Sequence, residues 1–222
     1  MKLGVLFSGG KDSCMAAYMV KKQGHELACL ITIHSKNQES YMFHTCSIKK
    51  TKDQAKVMNI PLIAVKTKGK KEKELLDLET AIKKAKKDYK IEGIVSGALA
   101  SNYQKSRIEE ICKRLKLNSL TPLWQKDGFE YLDDIIKNNF RVIVTAVSAY
   151  PLSASWLGRE INKEFIEDLH NLYKKYKVHP AGEGGEFETF VLYCPLFERP
   201  LQVIEANFTG EKNSWQMELG LK

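Results

Sequence analysis

The chain has 222 residues, of which 43% are hydrophobic and 28% charged, and its formal net charge is +8 at pH 7. This composition is typical of a globular protein with room for one large domain or two small ones. No uncharged apolar run approaches the roughly 20 residues of a membrane span, and a predicted strand begins after a single lysine. We therefore expect a cytoplasmic protein without a membrane segment or a signal peptide.

The first predicted strand, Leu3 to Phe7, runs directly into the loop Ser8-Gly9-Gly10-Lys11-Asp12-Ser13, which opens a helical pattern. Such a loop exposes backbone N–H groups at a helix N-terminus and predicts an anion site, here for a nucleotide phosphate. A Walker loop is excluded, because it would need glycine at Val5 and serine or threonine at Asp12, and no Gly-x-Gly-x-x-Gly fits. The alternative is an ordinary strand-to-helix turn.

Further apolar segments alternate with helical patterns along the first half. Strands are predicted at 27–33, 61–65, 93–97 and 119–123, and helices at 47–58, 72–88 and 102–115. This alternation predicts an α/β fold with a parallel sheet that helices cover on both faces. Ligands in such sheets bind at the carboxyl ends of the strands. We therefore expect the loop 8–13 to share one crevice with Ile33, His34, Gly97 and Ala98.

The positive charge is concentrated between Lys66 and Lys90, where ten lysines face five acidic residues. Apolar residues recur there at helical spacing: Leu75, Leu78, Ile82, Ala85 and Tyr89. The lysines are most simply the solvated side of an amphipathic helix. The alternative is an electrostatic surface for RNA or the ribosome.

The pattern changes near Gln125, so we divide the chain into two domains, 1–124 and 125–222. In the second part, helices are predicted around 129–136 and 165–173 and strands at 140–147, 187–193, 201–208 and 214–219, with a turn at 210–213. These elements predict a smaller α+β domain.

An acidic loop, Gly182-Glu183-Gly184-Gly185-Glu186-Phe187-Glu188-Thr189, precedes the first strand of the tail. Three carboxylates within six residues repel one another unless they bind a cation or a donor-rich ligand, or face water. The loop is therefore a candidate site, and a solvated acidic turn is the alternative.

The five cysteines are odd in number and scattered: Cys14, Cys29, Cys46, Cys112 and Cys194. This spacing supports neither a disulfide framework nor a Cys-x-x-Cys metal site. We expect most of them to be reduced core residues. For Cys14 and Cys194 the alternative is a reactive thiol, because a helix N-terminus lowers a thiol pKa.

Two signatures resemble known families. The loop 8–13 resembles the Ser-Gly-Gly-x-Asp-Ser loop of the PP-loop ATP pyrophosphatases, and 182–189 with Cys194-Pro195-Leu196-Phe197 resembles the hallmark of the diphthine–ammonia ligase family. The segments 101–109, 122–124 and 157–159 resemble further landmarks of that family, so the resemblance covers almost the whole chain. Lys105 departs from a frequent arginine and loses its planar fork.

The resemblance implies a Rossmann-like PP-loop (HUP) ATP pyrophosphatase domain followed by a smaller α+β domain. It implies ATP-dependent amidation of the diphthine carboxyl group on translation elongation factor 2, with ammonium as nitrogen donor. The products would be diphthamide, AMP and pyrophosphate, formed through an acyl-adenylate, with ATP as cosubstrate and Mg²⁺ as cofactor. The oligomeric state stays open, with a homodimer as one alternative.

The resemblance and the crevice together imply the site residues. The expected ATP contacts are Ser8, Gly9, Gly10, Lys11, Asp12, Ser13, Ile33, His34, Gly97, Gln104 and Arg107. Lys11 would neutralise phosphate charge and Asp12 would hold Mg²⁺, and both are expected in catalysis. For His34 the alternative is a loop residue, and for Arg107 a surface ion pair.

Three carboxylates are the candidates for the second step, Glu183, Glu186 and Glu188, with Glu186 ranked first. One of them would deprotonate ammonium, or would bind ammonium or the trimethylated amine of diphthine by charge. Tyr103, Trp124 and Trp156 could line a pocket for that amine, with core packing as the alternative.

Two other functions fit parts of the pattern. A PP-loop enzyme that modifies a tRNA or another RNA base would suit the positive charge, although the scattered cysteines weigh against sulfur transfer. A nucleotide-sensing module would bind ATP without turnover. Release of AMP in the presence of each substrate separates the three functions.

Overall fold

The first half forms a five-stranded parallel sheet in the order β3-β2-β1-β4-β5. The computed structural model describes residues 1–35, 47–68 and 73–222, except the side chain of Lys73. The elements are β1 Lys2–Leu6, α1 Lys11–Lys22, β2 Glu26–Ser35, a 3-10 turn Ile48–Lys50, α2 Thr51–Val57, β3 Leu62–Thr67, α3 Lys73–Tyr89, β4 Gly93–Val95, α4 Asn102–Leu115 and β5 Asn118–Leu120.

The central strands are apolar because both faces of this sheet are covered. Leu3, Val5 and Ile94 are fully buried, as in parallel sheets packed between helices. On one face, β2, β3 and β4 pack against α3 and α4. On the other face, α1 and α2 share a core with the second half of the chain.

The second half forms a four-stranded antiparallel sheet in the order β7-β6-β9-β8. Its elements are α5 Gly128–Lys137, β6 Arg141–Val147, a 3-10 turn Ala154–Trp156, α6 Lys163–Tyr176, β7 Phe187–Tyr193, β8 Val203–Glu211 and β9 Ser214–Leu221. The parallel sheet and this smaller antiparallel one confirm the predicted fold class.

Several predicted bounds were wrong by a few residues. The strand predicted at 119–123 ends at Leu120, because the chain turns at Pro122, which lacks the N–H that a ladder needs. The turn predicted at 210–213 shortens to Lys212 and Asn213, because Gly210 lets β9 approach its backbone closely. Cys46 and the predicted helix start at Glu72 lie outside the described residues.

In the described part of α3, the lysines at 83, 84, 86 and 87 lie on the exposed side of the helix, as their spacing predicts. Leu78, Ile82 and Ala85 are buried, whereas Lys83 and Lys84 pair at the surface with acidic residues of the same helix. Among the described helices, none is both long enough and apolar enough to cross a bilayer.

Candidate active site

A cavity of about 680 Å³ opens at the carboxyl ends of β1 and β4 and is walled by both halves of the chain. The first half contributes the loop after β1 together with Ile33, Gly97 and Gln104, and the second half contributes Ser148 and the acidic loop. Of the predicted site residues, those in the lining are Ser8, Gly10, Lys11, Asp12, Ser13, Ile33, Gly97, Gln104, Glu183 and Glu188.

The loop after β1 is folded around the hydroxyl group of Ser13. That hydroxyl accepts hydrogen bonds from the N–H groups of Ser8 (3.3 Å) and Gly9 (3.2 Å) and donates one to the carbonyl oxygen of Gly10 (3.1 Å). Gly9 has a φ of +81°, which a side chain rarely tolerates. The serines and glycines of the motif therefore give the loop its shape before any ligand binds.

Strand β7 of the second half is bonded to this loop. Lys11 N, the first N–H of α1, donates to Thr189 Oγ1 at 3.1 Å, and Val191 N donates to the Gly9 carbonyl at 3.0 Å. The side-chain amide of Gln54, fully buried on α2, donates to the carbonyl oxygens of both Gly9 (2.9 Å) and Val191 (2.8 Å). Thr189 belongs to the acidic signature, whereas nothing in the sequence pattern singles out Gln54.

The Lys11 side chain is buried between the two halves and is only 3% exposed. Its ammonium group donates to Asp12 Oδ2 (3.0 Å) and to the carbonyl oxygen of Ala181 (2.7 Å). It also lies 5.9 Å and 5.6 Å from the ring centroids of Tyr131 and Phe187. The cation that we expected to neutralise phosphate charge thus also binds Asp12 and the residue that precedes the acidic loop.

Glu183 provides a second hydrogen bond between the acidic loop and the first half, beside that of Thr189. Its Oε2 accepts a hydrogen bond from Ala100 N at 3.0 Å. Burial raises the pKa of the Glu183 carboxyl, and the negative charge of Asp12 raises it further. A carboxylate with these surroundings, in the wall of a cavity, is suited to accept a proton.

Glu186 lies outside the cavity lining. Its two carboxylate oxygens accept hydrogen bonds from His179 N and Gly184 N, each at 2.8 Å. The side chain therefore stabilises the folded acidic loop and joins it to the segment before it. We therefore revise the ranking of the three carboxylates and place Glu183 first. Glu188 lines the cavity beside it.

Three further predicted ATP contacts, Gly9, His34 and Arg107, are also absent from the cavity lining. His34 is half-buried, and burial, followed by the charges of Lys66 and Lys49, lowers its pKa. The Arg107 guanidinium lies 3.4 Å from the Glu110 carboxylate, which agrees with the surface ion pair that was the alternative.

The aromatic residues considered for an amine pocket already pack against side-chain cations. The Lys105 ammonium lies 4.8 Å from the Trp124 ring, and Arg107 and Arg159 lie 5.3 Å and 4.4 Å from Tyr103 and Trp156. These three aromatics are also absent from the lining of the large cavity. The structure therefore gives them packing roles in place of a ligand pocket.

The two cysteines considered as reactive thiols are fully buried. Burial raises the pKa of the Cys14 thiol well above its ordinary value and that of Cys194 to about 12. A thiol of this kind stays protonated and poorly nucleophilic. The reactive-thiol alternative is therefore not supported for either residue.

Two protein-family models match this chain and together cover nearly all of it. A model described as the diphthamide synthase N-terminal domain matches residues 1–119, and one described as the diphthamide synthase C-terminal domain matches residues 127–222. The chain belongs to the diphthamide synthase family. The resemblance predicted from the two signatures is thus confirmed, and both walls of the cavity come from parts that the family models match.

Several proteins with similar sequences are named diphthine–ammonia ligase. The one from Mus musculus is 34% identical over 224 residues, which are 91% of this chain and 83% of the relative. The one from Schizosaccharomyces pombe is 35% identical over 215 residues, and the chain spans only 35% of its length. A solved structure described as a predicted subunit of tRNA methyltransferase from Methanocaldococcus jannaschii covers 88% of the chain at 21% identity, with a TM-score of 0.46.

The raised pKa of Glu183 predicts how stability depends on pH. Above its ordinary pKa of 4.5, the Glu183 carboxyl binds more protons in the folded protein than it does in the unfolded chain. Its contribution to the free energy of unfolding therefore falls as the pH rises through the raised pKa. Relative to Glu183→Gln, the wild-type free energy of unfolding should therefore decrease between about pH 4 and about pH 7. Urea unfolding at both pH values measures it.

Glu79 is a control, because its pKa shift is opposite in direction to that of Glu183. Hydrogen bonds from Lys83 and Arg114 lower the pKa of the Glu79 carboxyl below its ordinary value of 4.5. Relative to Glu79→Gln, wild-type stability should therefore be lost as pH falls through that lowered pKa. Equal slopes for the two variants would contradict the assignment of a desolvated, Asp12-facing carboxyl to Glu183.

Proposed function

We propose that the chain catalyses ATP-dependent amidation of the diphthine carboxyl group of translation elongation factor 2, with ammonium as the nitrogen donor. The products are diphthamide, AMP and pyrophosphate. One observation carries the proposal: a single cavity brings a phosphate-type loop at the start of α1 together with Glu183 and Glu188 of the acidic signature. The relatives named diphthine–ammonia ligase support the choice of substrate.

The two halves of the chain divide the work between them. Residues 1–124 bind ATP, and residues 125–222 bind the diphthine side chain and supply the carboxylates. The division is supported by the two separate sheets and by a cavity that lies at the seam between them. Because its substrate is a translation factor, the enzyme works in the cytoplasm.

The nucleotide lies with its base and its phosphates at different parts of the cavity. The apolar side of the lining suits the base: Ile31, Ile33, Leu78 and Ile108. The loop after β1 faces the phosphates, where the N-terminus of α1 favours negative charge. A cavity of about 680 Å³ lies in the range of small-molecule sites.

The described residues fit a magnesium ion at Asp12. Asp12 Oδ1 is buried and has no hydrogen-bond partner among the described residues, whereas Oδ2 is held by Lys11. Within the same part of the chain, no cluster of three ligating side chains occurs. Mg²⁺ is commonly held by one or two carboxylates together with substrate phosphates and water. Bound there, it would neutralise charge on the phosphates.

The reaction proceeds in two displacements. A carboxylate oxygen of diphthine attacks the α-phosphorus and pyrophosphate leaves, which converts a poor electrophile into an acyl-adenylate. Ammonium then gives a proton to Glu183, and the resulting ammonia attacks the acyl carbon. AMP leaves, and the attacking nitrogen releases its additional proton to water, which gives the neutral amide. Glu188 attracts the ammonium ion by charge, Glu186 keeps the loop folded, and Lys11 orients Asp12.

The two other functions are not favoured. A PP-loop enzyme acting on an RNA base accounts for the first half of the chain alone, whereas the family match also covers 127–222. A module that only binds ATP would not need two carboxylates, Glu183 and Glu188, in the cavity wall, nor the raised pKa of Glu183.

The direct test is to mix the protein with ATP, ammonium and diphthine-bearing elongation factor 2 and to quantify each product. We expect AMP, pyrophosphate and amide in equal amounts. Glu183→Gln should lower amide formation about 10²-fold, because the base is lost, and should change ATP affinity little. Glu110→Gln, at the surface of α4, is the matched control. Formation of ADP and phosphate by the wild type would contradict the function.

A substitution at Gly97 tests where the nucleotide binds. A Cβ there would lie 2.6 Å from the Asp12 carbonyl carbon and 2.9 Å from Ser13 N, and these backbone atoms cannot rotate away. Gly97→Ala should therefore displace the loop and weaken ATP binding about tenfold or more, as measured by calorimetry. Gly4→Ala is the control, because its Cβ would approach only side-chain ends, the nearest at 3.0 Å. Equal ATP affinity in both variants would contradict the assignment.

A further inference from the structure

Tyr131 on α5 carries a hydroxyl group that packing alone does not explain. The residue is fully buried, and its hydroxyl makes no hydrogen bond of ordinary geometry within the described residues. Burying a hydroxyl group without a partner costs free energy that phenylalanine would avoid. The surroundings of such a group decide whether it has a functional explanation.

Tyr131 lies beside residues at the start of α1, which belong to the loop 8–13. The Lys11 ammonium lies 5.9 Å from the Tyr131 ring centroid and 3.0 Å from Asp12 Oδ2. The other oxygen, Asp12 Oδ1, is also buried without a partner among the described residues. A buried donor and a buried acceptor thus lie beside the same lysine, one on α5 and the other on α1.

The Tyr131 hydroxyl is suited to donate a proton in a hydrogen bond. A tyrosine phenol is ordinarily protonated at neutral pH, and its O–H group can donate one hydrogen bond. A protonated phenol next to a carboxylate can only stabilise that carboxylate as a donor.

We propose that Tyr131 is a positioning residue for Asp12: its hydroxyl donates to the Asp12 carboxylate and, together with Lys11, orients it toward the metal-bound phosphates. The proposal rests on the assignment of Asp12 to the nucleotide site. It gives α5, in the second half of the chain, a part in the step that cleaves ATP. Partners that orient a ligating carboxylate commonly change metal affinity or activity 10- to 100-fold.

The test compares Tyr131→Phe, which keeps the ring and its packing, with wild type. We expect the kcat of AMP formation to fall about 10- to 100-fold, with little change in the KM for ATP, because other residues hold the base and the phosphates. The Mg²⁺ concentration that gives half-maximal ATP binding in calorimetry should rise by a similar factor. An unchanged kcat and Mg²⁺ requirement would overturn the proposal.

Thr145→Val is the matched control. Thr145 on β6 is fully buried in the same half of the chain, its hydroxyl also lacks a partner among the described residues, and it is absent from the cavity lining. Its removal should leave kcat and the Mg²⁺ requirement unchanged. Equal losses in Thr145→Val and Tyr131→Phe would assign the effect to general core damage and overturn the proposal.

A double-mutant cycle separates a role through Asp12 from a structural role. If Tyr131 acts through Asp12, the Mg²⁺ penalty of Tyr131→Phe should vanish in an Asp12→Asn background, whereas additive penalties would overturn the proposal. The Mg²⁺ dependence of ATP binding can be measured without turnover, so this test does not depend on the proposed reaction. A wild type that binds Mg²⁺ and ATP but releases no AMP would refute the proposed function and leave the Tyr131 result valid.

Discussion

The carbonyl oxygen of Gly9 accepts hydrogen bonds from Val191 N and from the buried side chain of Gln54. These bonds tie a loop of the parallel sheet to β7 of the antiparallel sheet, and the acidic loop leads into β7. The same strand therefore holds the loop after β1 in place and determines where the carboxylates of the acidic loop enter the cavity. A shift of β7 would disturb both at once, so the two halves of the chain form one site.

Charges of both signs meet where the two halves of the chain are in contact. Lys11 is buried between Asp12 and the Ala181 carbonyl, so one cation compensates the carboxylates that approach each other from the two halves. Glu183 lies close enough to Asp12 for its pKa to rise. The compensation is incomplete, because Lys11 is one cation beside the carboxylates of both Asp12 and Glu183. In the proposed reaction, the remaining negative charge would attract ammonium and accept its proton.

The sequence was sufficient to predict the elements and the motifs, because these depend on local patterns. Alternating apolar strands and helices predicted the parallel sheet, and the glycine-rich motif correctly marked the edge of the cavity. The direction in which each side chain points depended on contacts across about 170 residues, such as that of Lys11 with Ala181. Lys11 lines the cavity as expected, whereas Glu186 and His34 lie outside its lining. Gln54 and Tyr131 were missed, since a polar residue in a helix has no pattern of its own.

The central claim is that the cavity joins AMP to a carboxylate before nitrogen arrives, and oxygen labelling tests it most directly. Elongation factor 2 with ¹⁸O in the diphthine carboxyl group would be converted with ATP and ammonium, and the AMP and pyrophosphate would be analysed by mass spectrometry. The account predicts one ¹⁸O atom in AMP and none in pyrophosphate. AMP without label, or label in a released phosphate, would contradict it.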